Sequence, residues 1–181
     1  MTSSFCTLSK ILSVILLLVC ICTSSFAQDE TFENDDTKDS TVIDADDALA
    51  QLFGSPIQLE VDTLLYPKKV GNFYSSESPE AMIMSMVAPE PLEKLKEDLK
   101  NEPSRNDVTI TENGEFIKNG KTFIFQKGTM KKEGNKYIFE TYALKADEKR
   151  TIMVVGYYDP KAKNKYGDTI KKAAVSAKLL D

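Results

Sequence analysis

Histidine and tryptophan are absent from the chain, and its three cysteines all lie within the first 22 residues. Without histidine there is no Ser-His or Cys-His catalytic pair, no histidine general base and no histidine-ligated zinc site. The sequence also contains no Ser-X-X-Lys motif and no glycine-rich phosphate-binding loop. We therefore expect a protein that is not an enzyme and that carries no cofactor.

The first 27 residues have the layout of a secretory signal peptide. Lys10 is followed by an apolar run from Ile11 to Cys22 and then by small polar residues that end at Ala27. Cleavage after Ala27 would remove every cysteine and would direct the protein to the periplasm or the exterior. A retained anchor is an alternative, although this apolar run is short against the roughly 20 residues that cross a bilayer.

Anchoring as a lipoprotein is a second alternative. Cleavage before Cys20 or Cys22 would normally require a small residue just ahead of the cysteine, whereas Val19 and Ile21 occupy those positions. Without disulfides, the exported chain must be stabilised by a hydrophobic core, and about 150 residues suffice for one domain.

Negative charge is concentrated directly after this segment. Residues 29–47 contain nine acidic residues and the single basic residue Lys38. With few apolar residues and no periodicity, residues 28–48 are predicted to be a disordered acidic leader, and residues 49–181 a single folded domain. A calcium-binding or partner-docking tail is the alternative, but Asp44 to Asp47 lack the glycine and distal glutamate of a calcium loop.

Consecutive antiparallel strands are predicted between Asn106 and Tyr158. Three segments are rich in β-branched and aromatic residues, namely Lys121 to Met130, Lys136 to Ala146 and Thr151 to Tyr158. Asn119-Gly120 supplies the residues that a tight type I′ hairpin requires. A second pair, Asn113-Gly114, and a tiny strand at Phe116 and Ile117 complete the predicted meander.

The flanking segments predict the rest of an α+β fold. Alternating apolar residues predict strands at Ile57 to Val61 and at Ala81 to Val87, whereas 64–79 is predicted as a loop with a loose strand near 70–74. Leucines at helical spacing predict a helix from Glu90 to Glu102. A closing helix is predicted from Lys161 to Leu180, interrupted near Gly167. The expected architecture is a central antiparallel sheet of about six strands with helices packed on its faces.

This order of elements resembles the PsbP-like and DcrB-like extracytoplasmic proteins. The resemblance is carried by AMIMSMVAP, PLEKLKEDLKN, NGKTFIFQKGTM, KYIFETYALKADEKRTIMVVGYYD and DTIKKAAVSAKLL, and it spans Pro56 to Leu180. It implies a central antiparallel sheet covered by helices, in a group that includes photosystem accessory subunits, periplasmic proteins and a Ran-binding transport factor. No functional residue is carried over, because no site motif is shared, and the absence of tryptophan departs from many members.

Three methionines form the most specific candidate metal site. Met82, Met84 and Met86 share one face of a predicted strand, and thioethers are soft ligands that suit Cu(I). Methionines also fill irregular space in cores. With Leu92, Leu95 and Leu99 on the next predicted element, packing beneath a helix is the competing interpretation.

Five lysines form the candidate partner surface, namely Lys161, Lys163, Lys165, Lys171 and Lys172. They could contact an acidic partner or acidic lipid, or they could be the solvated face of an amphipathic helix. Tyr137, Tyr142, Tyr157 and Tyr158 could similarly line a binding surface or lie in the core. Nucleic acid is not an expected partner of an exported, net acidic protein.

Taken together, these patterns predict an exported, non-enzymatic accessory or binding protein that acts through contacts with another protein. The alternative is a carrier of a small ligand or of copper that uses the methionine row. The sequence predicts no stable membrane span after cleavage, and it identifies neither the partner nor the oligomeric state.

Overall fold

The computed structural model describes residues 57–100 and 107–180, which form an antiparallel sheet with short helices on both faces. The main sheet consists of β2 (Lys68–Val70), β3 (Phe73–Glu77), β4 (Glu80–Ala88), β5 (Val108–Lys118), β6 (Lys121–Lys132), β7 (Asn135–Lys145) and β8 (Thr151–Tyr158). Its spatial order is β2-β3-β4-β8-β7-β6-β5, and every neighbouring pair is antiparallel. The predicted α+β class is confirmed, with seven strands in the main sheet instead of about six.

Helical segments follow β4 and β8. They are α1 (Leu92–Lys100), a 3-10 turn (Pro160–Ala162), α2 (Lys163–Tyr166) and α3 (Thr169–Ser176). A separate two-stranded ribbon pairs β1 (Ile57–Gln58) with β9 (Lys178–Leu179), so the first described residues lie beside the last ones.

The two faces of the main sheet are covered by different helices. Because side chains alternate along a strand, Met82, Met84 and Met86 point to one face of β4, and Ala81, Ile83 and Val87 point to the other. We call the first the α1 face, because Gln126, which shares it with Met84 through the strand register, donates from Nε2 to the Leu99 carbonyl over 3.3 Å.

The opposite face is the α3 face, where the larger apolar cluster lies. This cluster joins β4, β6, β7 and β8 to α2 and α3. At its far end, the rings of Phe116 and Phe123 stack with centroids 5.0 Å apart. Burial on both faces explains why β4 and β8 are apolar almost without interruption.

Tight two-residue turns connect β5 to β6 and β6 to β7, and the first has the predicted chemistry. At the β5–β6 turn, Asn119 and Gly120 have φ values of 52° and 73°, and at the β6–β7 turn Glu133 and Gly134 have values of 52° and 81°. Positive φ at both central residues matches the right-handed twist of the strands, and it favours the asparagine and glycines found there.

Several predicted boundaries were wrong. The first strand stops at Gln58, although its alternation continues to Val61, because only its first two residues find a partner in β9. The predicted loop 64–79, with its loose strand near 70–74, contains the two strands β2 and β3. Strand β3 ends just before a cis Ser78–Pro79 peptide. Asn113-Gly114 lies inside β5, because β6 pairs with that strand along its whole length apart from a bulge between Ile110 and Glu112.

The helices are shorter than the patterns predicted. Helix α1 occupies the central part of the expected range Glu90 to Glu102, of which residues 101 and 102 lie outside the described residues. The closing helix is divided into the 3-10 turn, α2 and α3, and it gives way to β9 before Leu180. The predicted signal segment 1–27, the acidic leader 28–48 and the start of the domain at 49–56 also lie outside the described residues.

Candidate functional site

The predicted partner surface lies on the helical segments that follow β8. Lys161, Lys163, Lys165, Lys171 and Lys172 are all exposed. Between Lys161 and Lys172, the only acidic residue is Asp168. All five predicted residues are therefore exposed along one short stretch of chain, and we call them the lysine surface.

Local capping fixes where this stretch begins. The Asp159 carboxylate accepts a hydrogen bond of 2.8 Å from the Lys161 backbone N–H, and Pro160 occupies the first position, where its missing N–H costs nothing. The Thr169 hydroxyl donates to the Tyr166 carbonyl over 2.8 Å at the start of α3. Asp168 occupies the N-cap position of α3, but its side chain makes no capping hydrogen bond.

Small residues seat these helices on the sheet. Ile170, Ala173 and Ala174 of α3 are completely buried on the α3 face, and Tyr166 of α2 is buried beside them. The Tyr166 hydroxyl donates to the Leu65 carbonyl over 3.2 Å. Because one side of each helix is fixed in this way, the lysines project from a rigid base.

No ion pair neutralises the lysine surface from within the described residues. Two of its lysines instead lie over aromatic rings, Lys171 at 4.6 Å from the centroid of Phe116 and Lys165 at 5.2 Å from that of Tyr166. Cation–π contacts hold an ammonium group in place without cancelling its charge. The surface can therefore attract an anionic group.

A charged cluster that the sequence did not predict closes one end of the α1 face. The Glu80 carboxylate accepts hydrogen bonds from Lys132 Nζ at 2.7 Å and from the Tyr157 hydroxyl at 2.8 Å on one oxygen. Its other oxygen accepts from the Tyr137 hydroxyl at 2.5 Å. Lys132 Nζ also donates to the Tyr157 oxygen over 3.0 Å. We call these four residues the Glu80 cluster.

Electrostatics fix the protonation states in the Glu80 cluster. Burial opposes ionisation of Glu80, but hydrogen bonds from Lys132, Tyr137 and Tyr157 outweigh it and lower the pKa of the carboxyl. Burial likewise opposes the charge of Lys132, yet its bonds to Glu80 and Tyr157 raise the pKa of the ammonium group. Burial raises the pKa of Tyr157 to about 12. The cluster is therefore an ion pair bonded to two neutral phenols at neutral pH.

A second buried carboxylate lies on the α3 face. Glu140 accepts a hydrogen bond of 2.6 Å from the Tyr142 hydroxyl and a longer one of 3.4 Å from that of Tyr158, and Lys127 Nζ lies 3.5 Å away. Burial, followed by the neighbouring carboxylate, raises the pKa of Tyr158 to about 12. Lys127 and the two tyrosine hydroxyls therefore surround the Glu140 carboxylate, and its contacts are made within the protein.

The four tyrosines considered as a possible binding surface are thus buried. Tyr137 and Tyr157 bond Glu80, and Tyr142 and Tyr158 bond Glu140. Glu80, Lys132 and Glu140 were missed by sequence reasoning, because a charged residue normally faces solvent. No local signal marks them as partners, since Lys132 and Glu80 are 52 residues apart.

The three methionines of the candidate metal site are buried on the α1 face of β4. Met82, Met84 and Met86 are 3%, 6% and 0% exposed. Their cross-strand neighbours on β8 are Tyr157, Val155 and Met153. Three thioethers and apolar neighbours are compatible with core packing, and the hypothesis of a Cu(I) site stays a prediction to be tested.

Replacing Met84 with alanine is expected to lower the free energy of unfolding by about 2 kcal/mol, because a buried side chain is lost and a cavity is left. We expect no stabilisation by Cu(I) in the native protein and no difference in copper affinity between the two proteins. Denaturant unfolding with and without Cu(I), and competition against a Cu(I) chelator, measure both quantities.

Met130 provides the control for this substitution. It is also 6% exposed, and it lies on the α1 face but outside the row. Met130→Ala should cost a similar free energy and should leave copper binding unchanged. Stoichiometric Cu(I) binding that Met84→Ala abolishes and Met130→Ala preserves would establish the metal site.

Two open clefts flank α1. One of about 230 Å³ lies between α1 and the β5–β6 pair and includes Lys96, Leu99, Gly114 and Ile124. The other, of about 500 Å³, lies between the start of α1 and the turns beside Lys121 and Lys145. Lys96 already bonds Glu115 over 2.6 Å, and Lys145 bonds Glu148.

Two further properties of the described part of the chain bear on function. Among residues 57–100 and 107–180, no three Asp or Glu side chains converge on a point where a metal ion could be held. No helix formed by these residues is long and apolar enough to cross a membrane.

Comparison with known proteins gives matches among solved structures. No protein-family model matches the chain, and no curated protein matches it. The chain is similar to LpqN of Mycobacterium tuberculosis, a protein involved in cell envelope biogenesis, at 11% identity and a TM-score of 0.48. That match covers 69% of this chain and 83% of LpqN.

Two other solved structures are similar at lower scores. PA94, a protein of unknown function from Pseudomonas aeruginosa, has 11% identity and a TM-score of 0.44 over 70% of this chain and 83% of its own. CyanoP, the cyanobacterial PsbP of Synechocystis sp. PCC 6803, has 8% identity and a TM-score of 0.42 over 70% of this chain and 94% of its own. A cyanobacterial PsbP is thus among the solved structures to which the chain is similar.

Proposed function

We propose that this protein is an exported, non-enzymatic accessory protein that binds an acidic protein partner through the lysine surface. The proposal includes the organisation inferred from the sequence: a signal segment over residues 1–27, an acidic leader over 28–48 and one folded domain over 49–181. The partner is defined by its chemistry, a cluster of carboxylates on a folded surface.

The proposal rests on five exposed lysines that lie on helical segments whose opposite side is buried against the sheet. Buried alanines fix the helices to the sheet, so little conformational freedom of the backbone is lost when a partner docks. The ammonium groups form no ion pair with the other described residues, so no internal bond has to break first. A basic surface of this kind steers an acidic partner and accelerates encounter at low salt.

Binding is favoured over catalysis by the side chains that remain available. After residue 22 the chain has neither histidine nor cysteine. Two of its carboxylates, Glu80 and Glu140, are each committed to a lysine and two tyrosines. Such networks stabilise one arrangement of strands, and they occupy both carboxylates with internal bonds.

The test is affinity capture in low salt with the protein produced from the full-length chain and with a charge-reversed variant. A variant that combines Lys163→Glu, Lys171→Glu and Lys172→Glu should bind the captured partner roughly tenfold more weakly or worse. Each charge reversal replaces attraction to the acidic partner with repulsion. A control variant reverses the exposed Lys121, Lys131 and Lys136 elsewhere. This control has the same net charge.

The proposal requires that the control retains the partner and that added salt releases it from the native protein. Equal recovery by the two variants, whether both keep or both lose the partner, would contradict a role for the lysine surface. Circular dichroism and thermal unfolding of each variant show whether it is folded, since exposed lysine substitutions away from caps usually change stability little.

A further inference from the structure

The two edges of the main sheet differ in length and in protection. Strand β2 has three residues, and Lys68 and Lys69 occupy two of them. Short edge strands that carry lysine discourage pairing with another sheet. Strand β5 has 11 residues, and no strand among the described residues pairs with its outer side. Its residues from Thr111 to Lys118 are exposed apart from Phe116, which is half-buried.

The β5–β6 turn determines which backbone groups of β5 point outward. Lys118 and Lys121 flank the two-residue turn, and such a closing pair exchanges both of its hydrogen bonds. Ile117, which precedes this pair, and every second residue before it therefore direct their N–H and C=O groups away from β6. These residues are Asn113, Glu115 and Ile117, whose outward donors and acceptors pair with no strand among the described residues.

We propose that the outer edge of β5 pairs with β5 of a second copy of this chain, antiparallel and centred on Glu115, to give a two-fold symmetric dimer. In this register Asn113 lies opposite Ile117 of the second copy, and their outward groups meet as hydrogen-bonded pairs. An antiparallel strand pair with a central two-fold axis is an isologous contact, the commonest interface symmetry in soluble oligomers.

Pairs of opposite charge favour this register over the adjacent registers. Centring on Glu115 places Glu112 directly opposite Lys118 of the second copy, and symmetry repeats the pair. Neither residue forms an ion pair within the described part of its own chain. A shift of the centre to Gly114 places Glu112 opposite Phe116 and forfeits both attractions. Cross-strand pairs of opposite charge stabilise a sheet, whereas like charges destabilise it.

The contact at the centre of the interface is also neutralised. The two Glu115 side chains face each other across the axis, and each accepts a hydrogen bond of 2.6 Å from Lys96 of its own chain. That bond lowers the pKa of the Glu115 carboxyl. Two lysines and two glutamates therefore meet at the axis with no net charge.

The helices leave room for the second copy. Helix α1 makes its main sheet contacts with β7, and α3 makes its own with β7 and β8, which are two and three strands in from the β5 edge. Strands are spaced about 4.8 Å apart, so the β7 strands of the two copies would lie more than about 20 Å apart across the axis.

The proposed dimer is tested by sedimentation velocity of the protein produced from the full-length chain, from micromolar to millimolar concentration. Ile117→Lys should raise the dimer dissociation constant by roughly tenfold or more, because a lysine on an edge strand opposes pairing with another strand. The matched control is Val70→Lys on the β2 edge, since Ile117 is 75% exposed and Val70 is 77% exposed. Val70→Lys should leave the dissociation constant unchanged.

A charge swap tests the register separately. Glu112→Lys and Lys118→Glu should each weaken the dimer, and the two together in one chain should restore it, because the double variant reverses both members of each pair. A protein that stays monomeric throughout the concentration range contradicts the proposal. So does a dimer that Val70→Lys weakens as much as Ile117→Lys, or one that the charge swap does not restore.

Discussion

Replacing Lys132 with methionine is expected to lower the free energy of unfolding by about 3 kcal/mol. The side chain of Lys132 is 5% exposed and supplies the only cation bonded to Glu80 among the described residues. Its removal leaves the Glu80 carboxylate with two phenol donors and no counter-charge. Because the Glu80 side chain is 35% exposed, water recovers part of the loss, so the expected cost is near the lower end for breaking a buried pair.

Urea unfolding measures this cost, and Lys136→Met is its control. Lys136 is an exposed lysine on the same hairpin, and its replacement should change stability by less than about 0.5 kcal/mol. A cost for Lys132→Met no larger than that for Lys136→Met would mean that the Glu80 cluster does not stabilise the fold.

The cost of Lys132→Met also depends on pH. Because the pKa of Glu80 is lowered in the folded state from its ordinary value of 4.5, its contribution is present above that value and is lost as pH falls through the lower folded pKa. The pKa of Lys132 is raised, so the ammonium group stays charged throughout this range. The stabilities of the native and Lys132→Met proteins should therefore converge as pH falls below 4.5, and a constant difference down to about pH 2 would contradict this assignment.

Gly156→Ala is expected to destabilise the protein by about 3 kcal/mol. A Cβ atom at this position would lie 2.6 Å from the Met82 carbonyl oxygen and 2.8 Å from Cδ1 of Ile170. Neither the neighbouring strand nor α3 can move away without losing its own packing. Chemical denaturation measures the loss, and α3 should detach from the sheet before the sheet unfolds, which would also disturb the lysine surface.

Ile170→Val provides the matched test, because it removes the Cδ1 atom that the new methyl group would meet. If the close approach of α3 is the cause, the double variant should be less destabilised than the sum of the two single variants. Strict additivity would place the cost entirely on the β4 carbonyl or elsewhere.

The meander and its turns were predictable because their signals are local. Asn119-Gly120 supplies two residues with positive φ, and the alternation of β-branched and aromatic residues continues on both sides of the pair. Asn113-Gly114 has the same local chemistry, yet it lies within β5. Pairing with β6 overrides its turn preference, and Gly114 gives space to the Phe125 ring, which would lie 3.1 Å from a Cβ atom there.

The internal charged clusters could not be predicted in the same way. Glu80, Lys132 and Tyr157 come from three strands that adopt neighbouring positions only through the order β4-β8-β7-β6. That order follows from the packing of the whole sheet, which no short segment encodes. The exposure of Lys171 and Lys172 was predictable, because lysines and buried alanines on α3 follow the period of a single helix.

The most direct test of the proposed function is a map of the partner's contact on the surface of this protein. Backbone amide chemical shifts of the isotopically labelled protein would be followed during titration with the captured acidic partner. We predict that the largest changes fall between Lys161 and Lys178 and that added salt reverses them. Changes centred on the Glu80 cluster or on the clefts beside α1, with residues 161–178 unaffected, would contradict the account.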